Sequence, residues 1–437
     1  MTRADCIVIG GGIAGLACAS ELAHRGWDVR LLEAADRVGG PVETRRVGDL
    51  LWERAALSVR STPALEALAE RVGCTLVPGH RGPAWVLCGD RLVQASPVAM
   101  LSGALVPGPA LLRALGEPFR RTPPGPLSVR ELVEARLGSE IAERLADLAT
   151  LGIHGAASDH IGFEAAFPGL ARALGRHGSL TRAALAALPW PPGRRRAPRA
   201  AMVSTREGLG PLVERLGDSL GPKLSTACRA RAVRGKRGEL QVTTGSGAQW
   251  RAREVVLAVE PAAAATLVED EESRGLLRAF SRTPQTLAIF ALRDADARAR
   301  WRGIGFLAPT RERAPLLGCL FSSFFFDGRA PADVLLLSVF VAPRLRGATD
   351  SELAQSLAPR LERWLEASRP PELIDVARHS EGIPLYDPGH PERVAAVRTR
   401  LGSLGGPRLA GWGYDGVAFG AAAASGVAAA RAILADA

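Results

Sequence analysis

The chain of 437 residues is longer than one hydrophobic core usually organises, so two or three domains are expected. Apolar residues make up 47% of the sequence, too few for a protein built of membrane spans. The formal net charge of +10 suits an anionic ligand or membrane surface, but aromatic residues make up only 5% and no nucleic-acid-binding signature is present, so nucleic acid is not an expected partner. The six cysteines include no C-x-x-C pair, so we predict buried thiols in a reducing cytoplasm and no metal site.

The N-terminal segment has the pattern of a nucleotide-binding βαβ unit. A short apolar strand at 5–9 is followed by Gly10, Gly12 and Gly15, which have the G-x-G-x-x-G spacing and open a helical pattern. The first glycine permits the tight turn, the second lets the backbone approach a diphosphate, and the third allows close helix–strand packing. The positive end of the helix favours that diphosphate. Glu33, after the second predicted strand, is predicted to accept hydrogen bonds from the adenosine ribose.

A second glycine motif follows the acidic residue, at Arg37-Val38-Gly39-Gly40. The segment resembles the R-x-G-G of flavoproteins, and that resemblance implies that its glycines bring backbone amides close to the diphosphate and flavin of FAD, although an ordinary turn would also explain it. No second complete glycine fingerprint is present, which argues against a separate NAD(P)H domain. We therefore predict FAD as the cofactor and an oxidase that uses oxygen or another acceptor.

The C-terminal sequence LAGWGYDGVA at 409–418 places a short strand and a glycine-rich turn before an Ala-rich helix predicted at 417–434. Such a turn can aim backbone amides at flavin N1 and O2, where positive potential stabilises the anionic reduced flavin. A helix-capping loop is the alternative explanation. Because this turn contains no cysteine, we predict that FAD is bound non-covalently.

Between these two ends, a mostly helical stretch at 63–182 precedes β-rich segments. The predicted elements are a hairpin at 85–93, a helix at 207–220, three strands within 229–259, β-rich segments at 316–326 and 334–341, and a helix at 353–365. The basic segment PWPPGRRRAP at 189–198 is predicted to be an exposed loop. The apolar run 95–115 is broken by three prolines, so we expect a substrate lid or a peripheral membrane contact rather than a membrane span.

The predicted fold class is α/β (α+β overall), in three parts. These are a Rossmann-like FAD-binding domain at 1–75, 201–275 and 395–437, a discontinuous β-rich substrate-binding domain at 76–93 and 276–394, and a helical subdomain at 94–200. The expected location is the cytoplasm, with peripheral contact at the inner face of the membrane left open. The oligomeric state is not predicted.

The chain resembles the protoporphyrinogen oxidase family within the flavin amine oxidase superfamily. The likeness runs from GGGIAGLACASELAHRGWDVRLLEAADRVGG at 10–40 to the C-terminal helix. It includes FEAAFPGLARALGRHGSL at 163–180, GFLAPTRERAPLLGCLFSS at 305–323 and GIPLYDPGHPERVAAV at 382–397. The last of these is similar to the I-P-x-Y-x-x-G-H segment of the family.

The resemblance implies a six-electron oxidation of a porphyrinogen to a porphyrin, with hydride transfer from a meso carbon to flavin N5 and oxygen as acceptor. The site would mainly hold an apolar macrocycle over the flavin and anchor its propionates. The predicted cofactor-binding residues are Gly10, Gly12, Ile13, Ala14, Gly15, Glu33, Ala34, Arg37, Gly39, Gly40, Ala230, Gly411, Trp412, Gly416, Val417 and Ala418. The predicted substrate-pocket residues are Leu57, Ser58, Arg60, Phe321, Leu385 and Tyr386. Phe321 and 324–326 would either face the macrocycle or fill a strand core, and Tyr386 would line the pocket or only pack.

The sequence departs from the family pattern around the expected flavin and substrate. The departures are Glu53-Arg54-Ala55-Ala56 in place of E-x-G-P, Leu57 and Ser58 in place of a polar or cationic pair, Pro41 after the glycine pair, Trp412 in place of Asn, and Leu385 at a commonly polar position. These changes leave the identity of the substrate open, between protoporphyrinogen, coproporphyrinogen and another apolar molecule. His390 is predicted to be a structural histidine with satisfied hydrogen bonds rather than a catalytic one.

Two other functions remain open from the sequence. One is a tailoring oxidase of the same superfamily, acting on an amine or a specialised metabolite. Many amine oxidases place a lysine near flavin N5, but neither Lys223 nor Lys236, the two lysines of this chain, is predicted to reach it. The other is a non-catalytic flavin-binding or tetrapyrrole-binding protein, which the altered segment 55–58 would favour.

Overall fold

The computed structural model describes residues 2–186 and 202–437, so the predicted basic loop at 189–198 lies outside the described residues. The strands are β1 (Thr2–Ile9), β2 (Val29–Leu32), β3 (Thr44–Val47), β4 (Leu50–Glu53), β5 (Val59–Arg60), β6 (Leu76–Pro78), β7 (Ala84–Cys88), β8 (Arg91–Gln94), β9 (Met202–Thr205), β10 (Leu224–Ser225), β11 (Ala230–Arg234), β12 (Leu240–Thr244), β13 (Gln249–Leu257), β14 (Arg282–Arg293), β15 (Gly305–Leu307), β16 (Leu316–Phe321), β17 (Val334–Val341), β18 (Glu372–Pro384) and β19 (Arg408–Leu409).

The α-helices are α1 (Ile13–His24), α2 (Pro63–Arg71), α3 (Pro97–Leu101), α4 (Gly108–Ala114), α5 (Val129–Leu137), α6 (Ser139–Ile141), α7 (Asp147–His154), α8 (Phe163–Ala166), α9 (Pro168–His177), α10 (Leu180–Ala186), α11 (Gly210–Leu220), α12 (Pro261–Leu267), α13 (Glu271–Arg278), α14 (Ala295–Arg300), α15 (Ser322–Phe325), α16 (Asp350–Trp364), α17 (His390–Ser403), α18 (Trp412–Asp415) and α19 (Phe419–Asp436).

The first sheet is the Rossmann-like sheet predicted from the sequence. Its strands lie in the order β10–β2–β1–β13–β12–β11, and β19 pairs in parallel with β13. β1 is parallel to both β2 and β13. Cys6 and Val8 pack against α1, α11 and α19 on one face, and Ile7 and Ile9 pack against α12, α13 and α17 on the other. Strands covered on both faces explain why β1 is a nearly continuous apolar run.

The last helix completes this domain from the far end of the sequence. α19 packs on α1, and the two helices share one hydrophobic core. Among the described residues, α19 alone has the length and hydropathy of a membrane span, and 56% of its residues are buried inside the protein. In this structure it is therefore a core helix of the dinucleotide fold.

The second sheet is mixed, in the order β18–β14–β17–β16–β15–β7–β8. One face packs under α16, and the other faces the β3–β4 hairpin through Leu50 and Trp52. Two details differ from the sequence analysis. The predicted β-rich segment 316–326 changes to the helical turn α15 after Phe321, and β6, predicted in the substrate domain, pairs with β9 in a small separate sheet with β5.

Helices α3 to α10 form the helical part, which has two small hydrophobic cores. A buried Asp147 ties it to the second sheet, because its carboxylate accepts the hydroxyl of Ser158 at 2.7 Å and also bonds Thr310. A buried pair links Arg136 to Glu117, with Nε to Oε1 at 2.8 Å. The contact between Asp147 and Thr310 fixes the helical part against the second sheet, and the Arg136–Glu117 pair holds the helical part together.

Candidate active site

The glycine turn after β1 is closely packed at two positions and open at a third. A Cβ at Gly10 would lie 2.5 Å from the carbonyl oxygen of Ala258, and one at Gly15 would overlap the carbonyl oxygen of Gly10. A Cβ at Gly12 would meet no atom within 4 Å. The N-terminus of α1 therefore opens onto free space, where backbone amides can hold a diphosphate.

The second glycine motif folds back onto the first. The N–H of Gly39 donates to the carbonyl of Gly11 at 2.8 Å, and a Cβ at Gly40 would lie 3.8 Å from the Cα of Gly12. Arg37 donates to the carbonyl of Gly40 at 2.8 Å, so its guanidinium shapes the loop. Both glycine loops border the open space at the start of α1.

Glu33 lies beside the same space at the end of β2. One carboxylate oxygen accepts the N–H of Gly11 at 2.5 Å, and the other accepts the N–H of Ala35 at 2.7 Å. Each oxygen keeps a lone pair that can accept a ribose hydroxyl. Just before Ala230, the N–H groups of Ala227 and Cys228 donate to the carbonyls of Ala35 and Glu33, so this stretch of chain runs beside the segment that contains Ala34.

The C-terminal glycine turn is held by the last helix. The N–H of Gly411 donates to the hydroxyl of Ser425 at 2.8 Å, and that hydroxyl donates to Asp415 at 2.5 Å. Gly411 and Gly416 both have φ of 123°, which a residue with a Cβ adopts only with strain. A Cβ on Gly411 would lie 3.7 Å from the Cβ of Ala14, so this turn lies beside the start of α1.

Tyr386, from the I-P-L-Y segment, bonds this turn. Its buried hydroxyl donates to the carbonyl of Trp412 at 2.6 Å and accepts the N–H of Gly416 at 2.6 Å. Its own carbonyl accepts the N–H of Gly162 at 2.7 Å, in the helical part. Leu385 packs against the core of that helical part. The segment therefore connects the helical part to the predicted cofactor turn.

His390 is buried, and its ring stacks on Tyr386 with the centroids 3.8 Å apart. Neither ring nitrogen forms a hydrogen bond of standard geometry among residues 2–186 and 202–437, so the structural role of His390 stays a prediction. Burial and the charge of Arg393 lower the pKa of His390 to about 4, although the nearby Tyr414 backbone favours the charged form. His154 also faces Tyr386, at 6.1 Å between centroids, and burial lowers its pKa to about 4.

The predicted pocket residues of the 57–60 segment separate in the structure. Leu57 lines a small internal cavity together with Leu320 and Phe326, and Ser58 follows it half-buried. The Arg60 side chain is exposed, while its carbonyl lies under the first turn of α19. Leu57 is therefore the member of this segment that shares a cavity with the second sheet.

Phe321 does not reach that cavity, which corrects its assignment to the substrate pocket. Its ring is fully buried on the α16 side of the sheet, 6.0 Å from Trp85 and 6.3 Å from Trp301 between centroids. Successive side chains of a strand point to opposite faces, so it is Leu320 that faces Leu57. The sequence alone does not show which face of the sheet Phe321 occupies, because that depends on α16 covering one side.

A buried acidic residue and a buried arginine line the same cavity. Glu53 accepts the hydroxyl of Thr44 at 2.6 Å and the N–H of Leu209 at 2.9 Å, and Arg329 lies 3.8 Å away. Burial raises the pKa of Glu53 to about 7, although these hydrogen bonds and the charge of Arg329 favour the ionised form. Arg329 donates to the hydroxyl of Ser204 at 2.8 Å. The sequence analysis missed Arg329, because no motif distinguishes it from the many surface arginines.

The two lysines of the chain lie away from the C-terminal turn. Lys223 precedes β10, an edge strand that β2, β1 and β13 separate from β19. Lys236 lies in the turn between β11 and β12, next to Gly405, before the chain enters β19. The C-terminal turn follows β19, and Val417 and Ala418 lead from it into α19. The arrangement therefore fits a dinucleotide held between the N-terminal glycine motifs and the C-terminal glycine turn, with no lysine beside that turn.

Comparison with known proteins agrees with this geometry. Residues 13–434 match the family described as "Flavin containing amine oxidoreductase". The chloroplast protoporphyrinogen oxidase of Oryza sativa subsp. japonica is 28% identical, over 98% of this chain and 86% of that protein. A coproporphyrinogen III oxidase of Propionibacterium freudenreichii subsp. freudenreichii is 28% identical, over 90% of this chain and 84% of that protein.

Solved structures show the same fold. A candidate protoporphyrinogen oxidase from Exiguobacterium sp. 255-15 superposes with a TM-score of 0.83 at 24% identity, over 100% of this chain and 99% of that chain. A double variant of putrescine oxidase superposes with a TM-score of 0.73 at 16% identity, over 99% of both chains. These matches confirm the predicted pairing of a Rossmann-like sheet with a second mixed sheet.

Proposed function

Because the chain belongs to the flavin-containing amine oxidoreductase family, and is thus a flavin-dependent oxidoreductase, we propose that it binds FAD non-covalently and oxidises a porphyrinogen. The observation that carries the substrate proposal is the near full-length similarity to both a protoporphyrinogen and a coproporphyrinogen oxidase. The two lysines lie away from the C-terminal turn, which makes typical amine oxidation the weaker alternative.

The residues of the N-terminal glycine motifs and of the C-terminal glycine turn would hold FAD across the edge of the first sheet. Amides at the start of α1 would bind the diphosphate, Glu33 the ribose, and the Gly411–Gly416 turn the flavin ring. When bound, the flavin would accept hydride from a meso carbon and pass the electrons to oxygen. Burial lowers the pKa of His154 and of His390 to about 4, which makes both weak proton acceptors at pH 7, so the protein would contribute mainly position and exclusion of water.

The substrate is tested by mixing the flavin-loaded protein with protoporphyrinogen IX or coproporphyrinogen III without oxygen. We expect the flavin absorbance to bleach, and porphyrin fluorescence to appear once air enters. A Gly12→Val variant lacking flavin is the matched control, and should form porphyrin only at the rate of spontaneous oxidation. Flavin that stays oxidised with both porphyrinogens, in well-folded loaded protein, would contradict the substrate proposal and leave the cofactor proposal intact.

The cofactor proposal has its own test. Acid precipitation should release all of the flavin into the supernatant as FAD, and flavin retained in the pellet would contradict non-covalent binding. Glu33→Ala removes an acceptor worth about 1.5–3 kcal/mol for hydrogen bonds to a charged group, so we expect it to purify with little flavin. Full flavin content in that variant would place the nucleotide elsewhere.

A tailoring oxidase acting on an amine or a specialised metabolite is the second candidate. Its support is the segment after Glu53, where Ala56 has φ of 52° and Leu57 lines a small cavity with Leu320. Leu57 offers a propionate no hydrogen bond, and Arg329, which lines the same cavity, lies 3.8 Å from Glu53, whose carboxylate competes for its charge. A substrate screen under anaerobic conditions, including putrescine, separates the two candidates by which compound bleaches the flavin.

We further propose a cytoplasmic location with peripheral contact to the inner face of a membrane. Within residues 98–119, four apolar side chains are largely exposed, Val98, Leu112, Leu115 and Phe119, and the last is 86% exposed. Exposed apolar groups near arginine suit an anionic lipid surface. Cosedimentation with anionic vesicles should occur in wild type and weaken in Phe119→Glu. Equal cosedimentation of both proteins would contradict the contact.

A further inference from the structure

Tyr386 inserts its hydroxyl into a helical hydrogen bond of the C-terminal glycine turn. α18 spans Trp412–Asp415, and the N–H of Asp415 donates to the carbonyl of Gly411 at 3.1 Å, as in an α-helix. If the helix continued, the N–H of Gly416 would donate to the carbonyl of Trp412. Instead each of these two groups bonds the Tyr386 hydroxyl at 2.6 Å.

This insertion decides where α18 ends. A group placed between a helical donor and its acceptor opens the helix at that point. Gly416, with φ of 123° and ψ of 131°, then leaves the helical region and directs the chain into α19. The hydroxyl of Tyr386 has one proton, which it donates to Trp412, and it accepts from Gly416, so both bonds follow from its chemistry.

The ring of Tyr386 is fixed from two other parts of the protein. Its side chain is buried and stacks on His390, with 20° between the ring planes. Its backbone carbonyl accepts the N–H of Gly162, which belongs to the helical part. The hydroxyl is therefore held by contacts of Tyr386 with α17 and with the helical part, in addition to its bonds to the glycine turn.

We propose that Tyr386 is a positioning residue for the bound flavin, acting through the amides of the Gly411–Gly416 turn. The proposal rests on FAD binding at this turn. Without the hydroxyl, Gly416 and Trp412 are free to close the helical bond directly, which would draw the turn out of the conformation that faces the flavin. The helical part would then no longer control the geometry of the cofactor turn.

The test compares Tyr386→Phe with Thr286→Val. Thr286 lies in β14 of the second sheet, and its buried hydroxyl donates to the carbonyl of Arg346 at 3.2 Å, so this variant also removes a buried hydroxyl but leaves the Gly411–Gly416 turn unchanged. We expect the Kd for FAD to rise about tenfold in Tyr386→Phe, as for one to two hydrogen bonds, with no change in Thr286→Val. The absorbance spectrum of the bound flavin should also shift in the first variant only.

Equal FAD affinity and spectra in Tyr386→Phe and wild type would overturn the inference. Circular dichroism of both flavin-free variants checks folding. If Tyr386→Phe does not fold, His390→Leu removes the stacked ring but keeps the hydroxyl, and it must raise the Kd in the same direction. Wild-type protein that binds no FAD would instead overturn the proposed cofactor, so the two failures are distinguishable.

Discussion

Gly426 in α19 lies against the carbonyl oxygen of Ala14 in α1, with no space between them for a Cβ. This close approach brings together the two ends of the chain, since α1 follows the first glycine motif and α19 follows the C-terminal turn. Gly411 at that turn also lies beside Ala14. The helix contact therefore sets the distance between the two halves of the proposed cofactor site.

Gly426→Ala should both destabilise the protein and loosen the cofactor. Overpacking of this kind costs about 1–3 kcal/mol, and the displaced α19 would move the glycine turn. The matched control is Gly275→Ala in α13, where a Cβ would meet nothing within 4 Å. That change should stabilise the helix by about 0.8–1 kcal/mol. Urea unfolding and the flavin-to-protein ratio measure the two effects, and equal behaviour of both variants would contradict the contact.

Valine substitutions at Gly12 and at Gly15 should distinguish a loss of cofactor binding from a loss of folding stability. Valine at Gly12 enters open space, so the flavin-free protein should fold with wild-type stability while flavin binding is lost. Valine at Gly15 overlaps the Gly10 carbonyl, so that variant should lose stability whether or not flavin is present. Thermal unfolding of the flavin-free proteins makes the comparison. A folding defect in Gly12→Val would mean that the space at Gly12 is filled by the chain.

The buried histidines predict a loss of stability in mild acid. The pKa values of His154 and His390 are lowered to about 4, below the usual 6.5, so only the unfolded state takes up their protons between these values. Their contribution is fully present above pH 6.5 and is lost as the pH falls toward 4. We expect a loss of about 2 kcal/mol for each histidine between pH 7.5 and pH 5.

The contribution of Glu53 to stability has the opposite pH dependence. The histidine contribution is therefore measured as the difference in the free energy of unfolding between the wild type and a variant that lacks the histidines. The pKa of Glu53 is raised to about 7, and its contribution is therefore present below pH 4.5 and lost as the pH rises through 7. The free energy of unfolding in urea should be compared between wild type and the double variant His154→Phe/His390→Phe, which keeps Glu53. The difference between the two proteins should shrink from pH 7.5 to pH 5. A constant difference would mean that the histidines titrate normally.

Sequence patterns were enough to predict the elements that are formed by residues close together in the chain. The βαβ unit from β1 to Glu33 and the strands β11 to β13 follow from glycine spacing and apolar runs of neighbouring residues. The face of Phe321 could not be predicted in this way, because it depends on α16 covering one side of the sheet. The strand β6, within the stretch predicted to be mostly helical, was not predicted for a similar reason, since its partner β9 is distant in sequence.

Long-range polar contacts were also beyond the sequence. Tyr386 was recognised as part of a family-like segment, but its bond to Trp412 depends on how two domains meet. His390 was predicted to be structural, but its stacking on the ring of Tyr386 depends on how α17 meets the end of β18 and could not be predicted from the sequence. The pairing of Glu53 with Arg329 joins residues of different domains.

The Glu53–Arg329 pair should be strongly coupled. Arg329 is 2% exposed and Glu53 is 4% exposed, so each charge depends on the other within a wall of apolar residues. Removing one partner of a buried pair leaves the other charge without compensation. Because the pKa of Glu53 is about 7, Glu53 can take up a proton in the variant, and one pH unit above the pKa corresponds to about 1.4 kcal/mol. We therefore expect loss of the arginine charge to cost Arg329→Met about 1–2 kcal/mol at pH 8, where Glu53 is ionised in the wild type.

Acidification should rescue the Arg329→Met variant. Without the arginine the pKa of Glu53 rises further, since the arginine charge lowers it in the wild type, and protonation then removes the uncompensated charge. The stability deficit of Arg329→Met should thus be smaller at pH 6 than at pH 8, and adding Glu53→Gln should reduce it at pH 8. Arg378→Met, at an exposed pair with Asp350, is the control and should change stability by less than about 1 kcal/mol. A deficit in Arg329→Met that is the same at both pH values would show that the guanidinium acts by packing and not by its charge.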